Sequence, residues 1–91
     1  MRKQPFVVEW YRKASKAFRD IDDARLRENI VDAIDKEIAP DPFVAGKPLV
    51  GPFKGTRSYR IGVIRILFKP YKDRLVVVLL DIAHRREVYR R

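Results

Sequence analysis

The chain contains no cysteine and one histidine, His84. Disulfides, thiolate metal sites and a cysteine nucleophile are therefore excluded, and so is a metal site built on several histidines. Long hydrophobic runs are missing too: the longest, Leu75–Leu80, falls far short of the roughly 20 residues that cross a bilayer. Charged residues stand near the N-terminus where a signal peptide would carry its apolar core, so a soluble, cytoplasmic protein with no membrane partner is expected. Internal repeats and low-complexity tracts are absent as well. Acids are scarce in one half only. Residues 1–45 hold nine Lys/Arg and nine Asp/Glu, whereas residues 46–91 hold twelve Lys/Arg against Asp73, Asp81 and Glu87. The whole net charge of +9 thus lies in the second half, an asymmetry that suits a polyanionic partner.

What is present is a globular balance, 46% hydrophobic and 36% charged, in 91 residues. Divided in two, the chain would leave pieces too small to hold a core without metal or disulfides, so a single domain over 1–91 is expected. Phe6, Val7 and Val8 after Pro5 predict a short strand over Phe6–Glu9. Trp10, Ala14, Ala17, Phe18 and Ile21 recur at helical spacing and predict an amphipathic helix over Trp10–Asp20. A second helix, capped by Asp22, follows from the ridge Leu26, Ile30, Ile34 and Ile38, widened by Val31 and stopped by Pro40 and Asp41-Pro42. From Ala39 to Gly55 four prolines and three glycines describe a long connection. The period then changes to that of strands over Ser58–Val63, Ile64–Pro70 and Leu75–Ala83, with turns near Gly62 and at Pro70–Asp73. The order β-α-α-β-β-β predicts an α+β, two-layer fold: an N-terminal strand and an antiparallel helical hairpin packed on a twisted antiparallel β-sheet, whose other face is free for a ligand.

The residues able to do chemistry are mostly arginines. Arg57, Arg60 and Arg65 lie on adjacent strands, and Arg85, Arg86, Arg90 and Arg91 follow the last one. Arg65 interrupts the apolar string IRILF, where an ordinary strand would carry Val or Thr. A guanidinium binds phosphate bidentately, and on a strand it is held more rigidly than on a loop. Tyr89, within HRREVYRR, offers a stacking plane and a hydroxyl, a pairing that suits single-stranded RNA. Tyr71 reads instead as a turn aromatic packed on the sheet edge. His84 is the one residue of a type that titrates near neutrality, hence a candidate for proton transfer, although a lone histidine at a strand end is more often structural. Lys47 and Lys54, in the connection before the meander, suit phosphate positioning and plain solubility equally.

Taken in order, GKPLVG at Gly46–Gly51, KGTRSYRIG at Lys54–Gly62, Arg65 in IRILF and HRREVYR at His84–Arg90 resemble the RelE/ParE superfamily of bacterial and archaeal toxins. The resemblance covers nearly the whole chain and implies a RelE-like fold. It further implies a toxin of a type II toxin-antitoxin system that enters the ribosomal A site and cuts mRNA, a metal-independent endoribonuclease without cofactor, held inactive in a hetero-oligomer with a small antitoxin. In such a ribonuclease the ribose 2′-OH attacks the adjacent phosphate and the 5′-oxygen leaves. Carried over by position, Arg65 and Arg85 stabilise the pentavalent phosphate and Tyr89 stacks on or orients the nucleotide, with Lys47, Lys54, Arg57, Arg60 and Arg86 contacting RNA. Arginine is no base at ordinary pH, so the 2′-OH proton must pass to Lys54, His84, Tyr89 or a ribosomal group. The ParE branch, which poisons DNA gyrase without RNA chemistry, is the alternative; the REVY ending at Arg86–Tyr89 is more similar to the RelE branch. A basic DNA-binding module is weaker than either, since no recognition motif is visible.

Overall fold

The computed structural model, which describes residues 5–84 and, of His84, only the backbone, contains the four expected strands, a fifth short one and two helices. Strand β1, Val7–Trp10, leads through Tyr11 into helix α1, Arg12–Arg19. Helix α2, Ala24–Ala33, is capped by Asp23, whose carboxylate accepts from the N–H groups of Arg25 at 2.9 Å and Leu26 at 3.2 Å. The cap is thus one residue later than the expected Asp22, because Asp23 alone reaches the second and third N–H groups of the helix. Past Ala33 the helix widens into a single π turn, Ile34–Ile38, closed by the Ala39 N–H on the Ile34 carbonyl at 2.8 Å. The turn keeps Ile30, Ile34 and Ile38 buried in the core before the chain meets Pro40.

The connection over Ala39–Gly55, rich in proline and glycine, contains two short elements. Strand β2, Lys47–Pro48, pairs antiparallel with the next strand, and a 3-10 turn covers Gly51–Phe53. Gly46 is required at the entry to β2: its φ is +66°, and a Cβ there would lie 2.2 Å from the Ser58 carbonyl oxygen. Strands β3, Arg57–Ile61, β4, Ile64–Tyr71, and β5, Val76–His84, then form the expected antiparallel meander.

The sheet order is β1-β5-β4-β3-β2. Beside the meander β1 does pair, but in parallel with β5, Val7 opposite Val76 and Trp10 opposite Leu79. The sheet is therefore mixed at that edge and antiparallel elsewhere, since β1 enters and leaves through the helical hairpin without a hairpin turn to β5. The last strand in sequence is central in space, which explains its apolar Val77, Val78 and Leu79, all buried. Leu75, which opens the same apolar run, lies in the β4–β5 turn instead and is 43% exposed. One layer of core joins the elements: Ala14, Ile30, Ile34 and Ile38 from the helices meet Ile66, Phe68, Val77, Leu79 and Ile82 from the sheet. Each such side chain, fully buried, contributes roughly 1.5–3 kcal/mol. Edge-to-face contact of Trp10 with Phe18, ring centroids 5.4 Å apart, ties β1 to α1.

Candidate functional site

Alternation along β4 decides which side chains are left for function. Ile66 and Phe68 are wholly buried against the helices, so Arg65, Leu67, Lys69 and Tyr71 face the opposite way. Register carries the same separation across the sheet: Arg60 lies directly opposite Arg65, Ser58 opposite Leu67, and Lys47 opposite Ser58. Lys47, Ser58, Arg60, Arg65 and Lys69 therefore share the face turned away from the helical layer.

The opposed arginines are the unusual element of this face. Like charges directly across an antiparallel pair destabilise a sheet. Each guanidinium is held by a hydrogen bond within the chain: Arg65 donates from Nη1 to the hydroxyl of Ser58 at 3.3 Å, and Arg60 from Nε to the carbonyl of Gly62 at 3.0 Å. Ser58 is itself 5% exposed, so the oxygen that receives Arg65 is fixed in the sheet. No Asp or Glu occurs in the sequence between Asp41 and Asp73, a stretch with seven Lys/Arg. The buried acid of β5, Asp81, is engaged by Lys13 of α1, with Nζ 3.3 Å from the carboxylate. A positive surface on which Arg65 is half-buried and Arg60 exposed, each guanidinium hydrogen-bonded within the chain, can bind phosphate or stabilise a phosphorane with less ordering of the arginines on binding.

The remaining candidates are placed less uniformly. Arg57 is opposite the buried Phe68, hence on the helical side of the alternation, and it donates to the carbonyls of Ala45 at 3.0 Å and Gly46 at 3.4 Å. Its side chain clamps the connection that precedes β2. Lys54, at the end of the 3-10 turn, is exposed, and its amine meets no hydrogen-bond or ion-pair partner among the described residues. His84 ends β5 with its backbone opposite Ile64. Arg85, Arg86 and Tyr89 lie outside the described residues. Lys69 was not among the residues singled out from sequence, although counting by twos from Arg65 reaches it. Tyr71, read as a turn aromatic, lies two residues further on the same face, with the Lys69 amine 5.5 Å and the Arg74 guanidinium 4.6 Å from its ring centre. Among the described residues no group of three or more His, Cys, Asp or Glu side chains is placed to hold a metal ion, and no helix is long and apolar enough to cross a membrane.

With this geometry in place, comparison with known proteins is informative. Residues 8–89 match the family described as the ParE toxin of the type II toxin-antitoxin system, parDE. Toxin RelG of Mycobacterium tuberculosis is 29% identical over 87 residues, 96% of this chain and 99% of that protein. Among solved structures, a chain of the toxin-antitoxin complex RelBE2 of Mycobacterium tuberculosis superposes with a TM-score of 0.81 at 27% identity, over 89% of this chain and 92% of that one. A chain of the chromosomal ParDE system of P. aeruginosa shares the fold, with a TM-score of 0.70 at 18% identity over 88% of this chain and 96% of that one.

Proposed function

We propose that this chain, which belongs to the ParE toxin family of type II toxin-antitoxin systems, acts on RNA: it is a ribosome-dependent, metal-independent mRNA endoribonuclease that inhibits translation. That it is a toxin of the RelE/ParE kind follows from the family match and the likeness to RelG and RelBE2. The observation that carries the finer reading is the Arg60–Arg65 pair, two opposed guanidinium groups on a sheet face away from the helices, with the Arg65 side chain anchored on a buried serine. A fold that tolerates this repulsion is one in which an anion belongs between or upon the two groups.

In the proposed reaction the 2′-OH of one ribose attacks the adjacent phosphorus, a 2′,3′-cyclic phosphate forms, and the 5′-oxygen of the next nucleotide leaves. Arg65, with Arg85, bears on the negative charge that grows on the phosphoryl oxygens, and Tyr89 orients the flanking base. Lys47, Lys54, Arg60 and Arg86 hold the RNA backbone, while Arg57, expected from sequence to join them, lies on the helical side and holds the connection before β2. The 2′-OH proton goes to Lys54, His84, Tyr89 or a group of the ribosome, and a proton returns to the leaving oxygen. Positioning of the mRNA by the ribosome supplies part of the acceleration, which is why a site without an evident base suffices. The partner that silences it is a small antitoxin, a role the solved complex RelBE2 supports, and the net charge of +9 suits an acidic one. Ribosomes place the action in the cytoplasm.

The match to the ParE toxin family favours a second reading, a non-catalytic toxin that binds DNA gyrase. Purified protein added to translating ribosomes, with mRNA 5′ ends mapped, separates the two when run beside a supercoiling assay. New mRNA ends lost in Arg65→Ala support the ribonuclease; inhibited supercoiling with unchanged mRNA ends overturns it.

A further inference from the structure

Some 20 Å along β4 from Arg65, six residues at the strand rise, a second cationic group gathers around Tyr71. The ring has the Lys69 amine 5.5 Å and the Arg74 guanidinium 4.6 Å from its centre, so two like charges share one aromatic ring as neighbour. The nearby acid does little to neutralise them: the Asp73 carboxylate is 4.0 Å from Arg74 Nε, and both side chains are largely exposed. Two backbone features favour this gathering. Leu75, immediately after Arg74, has φ +52°, and it is the one non-glycine residue with positive φ among the described residues. A branched side chain in the left-handed region costs about 1–2 kcal/mol, and such strain persists where the surrounding structure requires the conformation. Gly55, with φ +91°, lies beside Lys69: a Cβ there would meet the Lys69 Cε at 3.5 Å, so the lysine stem runs across bare backbone.

We propose that Lys69, Tyr71 and Arg74 form a second phosphate-binding subsite for the RNA strand, separate from the Arg60–Arg65 pair and aligned with it along one face of β4. The inference rests on the ribonuclease reading for its ligand. Two cations held by one ring form a preorganised clamp for a phosphodiester, and the shared face lets one extended strand reach both groups. An acidic protein segment could satisfy the charge but has no use for the alignment with the arginine pair.

The test uses the full chain and a fluorescent ten-nucleotide 2′-O-methyl RNA, which binds but cannot be cleaved because its attacking hydroxyl is blocked. Affinity is measured against salt for the parent, for Lys69→Ser/Arg74→Ser and for Arg60→Ser/Arg65→Ser, with folding checked by urea denaturation. The first double variant is expected to lose affinity on the order of tenfold and to reduce the magnitude of the log–log salt slope by about 0.7, the contribution of one phosphate on a single strand. Tyr71→Leu is expected to lose part of this affinity and Tyr71→Phe to retain it, since the ring and not the hydroxyl gathers the cations. Parent-like affinity and slope in Lys69→Ser/Arg74→Ser overturn the subsite. So does an equal loss of binding to a poly-glutamate peptide, which would make the cluster a general anion surface. If Lys69→Ser/Arg74→Ser weakens binding and Arg60→Ser/Arg65→Ser does not, the subsite stands and the role of the arginine pair falls. If the folded parent binds no RNA, both fall.

Discussion

Ile66 and Phe68 on one side of β4 are wholly buried, whereas Arg65, Leu67, Lys69 and Tyr71, alternating with them along the same strand, are only partly so. The two sides obey different rules. On the helical side every residue of the strand fits its neighbours: apolar side chains meet Ile30, Ile34 and Ile38, and nothing there is charged until Arg57, which turns to the carbonyls of Ala45 and Gly46. On the other side cations are set opposite and beside one another at a cost to the sheet. Stability is thus concentrated on one side and the proposed binding chemistry on the other, and substitutions separated by one residue should have effects of different kinds.

The largest effect is expected at Phe68. Truncation to Ala should destabilise the domain by about 3–5 kcal/mol, read as a lower midpoint in urea, and activity should fall only with the folded fraction. Direct loss of RNA binding by protein that remains folded would break the division between the sides. Next comes Arg65→Ala, for which a roughly 100- to 1000-fold loss of ribosome-dependent cleavage is expected, with stability unchanged or higher because the opposed Arg60 is relieved. Unfolding of this variant would mean that the arginine belongs to the structural side after all. Arg65→Lys should recover part of the activity, since charge is kept and the planar fork is lost.

Smaller effects sharpen the same contrast at the edges. Asp23→Ala removes the two hydrogen bonds at the start of α2 and should cost about 0.5–2 kcal/mol, again without direct effect on RNA affinity. At the β4–β5 turn, Leu75→Gly relieves the left-handed backbone and should raise thermal stability by at most about 1 kcal/mol, because glycine's added freedom when unfolded offsets part of the gain. A clear fall in melting temperature would show that the Leu75 side chain matters more than its backbone.

Much of this architecture was legible in the sequence, for a physical reason. Period and composition report local burial, so the helices, the three meander strands and the ridge Leu26, Ile30, Ile34 and Ile38 could be read directly. The parallel direction of β1 could not, because it depends on where the helical hairpin delivers the chain and not on any residue of the strand. Strand β2 was hidden by Pro48, whose presence argues against a strand except at an edge, where β2 lies. In the site, Arg65 was conspicuous because it breaks an apolar string. Its anchor Ser58 was not, since a buried serine resembles an exposed one in sequence. Lys69 stood in reach of simple alternation but sat next to Pro70 at an expected turn, and Tyr71 was assigned to the edge for the same reason. The expectations at Arg85, Arg86 and Tyr89 concern positions outside the described residues, and they stand on the resemblance to the RelE branch.

The central place of β5 carries a consequence for how the molecule comes into being. Strand β1, made before both helices, has its partner in β5, and β4 likewise depends on it for half of its ladder. Until residues 76–84 emerge, the early strand has nothing to pair with and the core lacks Val77, Leu79 and Ile82. Contacts this distant in sequence are slow to close, and synthesis proceeds at roughly 5–20 residues per second. A nascent chain halted before β5 therefore has the helices and most of the cations but no completed sheet to hold them in register. The protein assembles its charged face in a single late step, once β5 has joined the sheet.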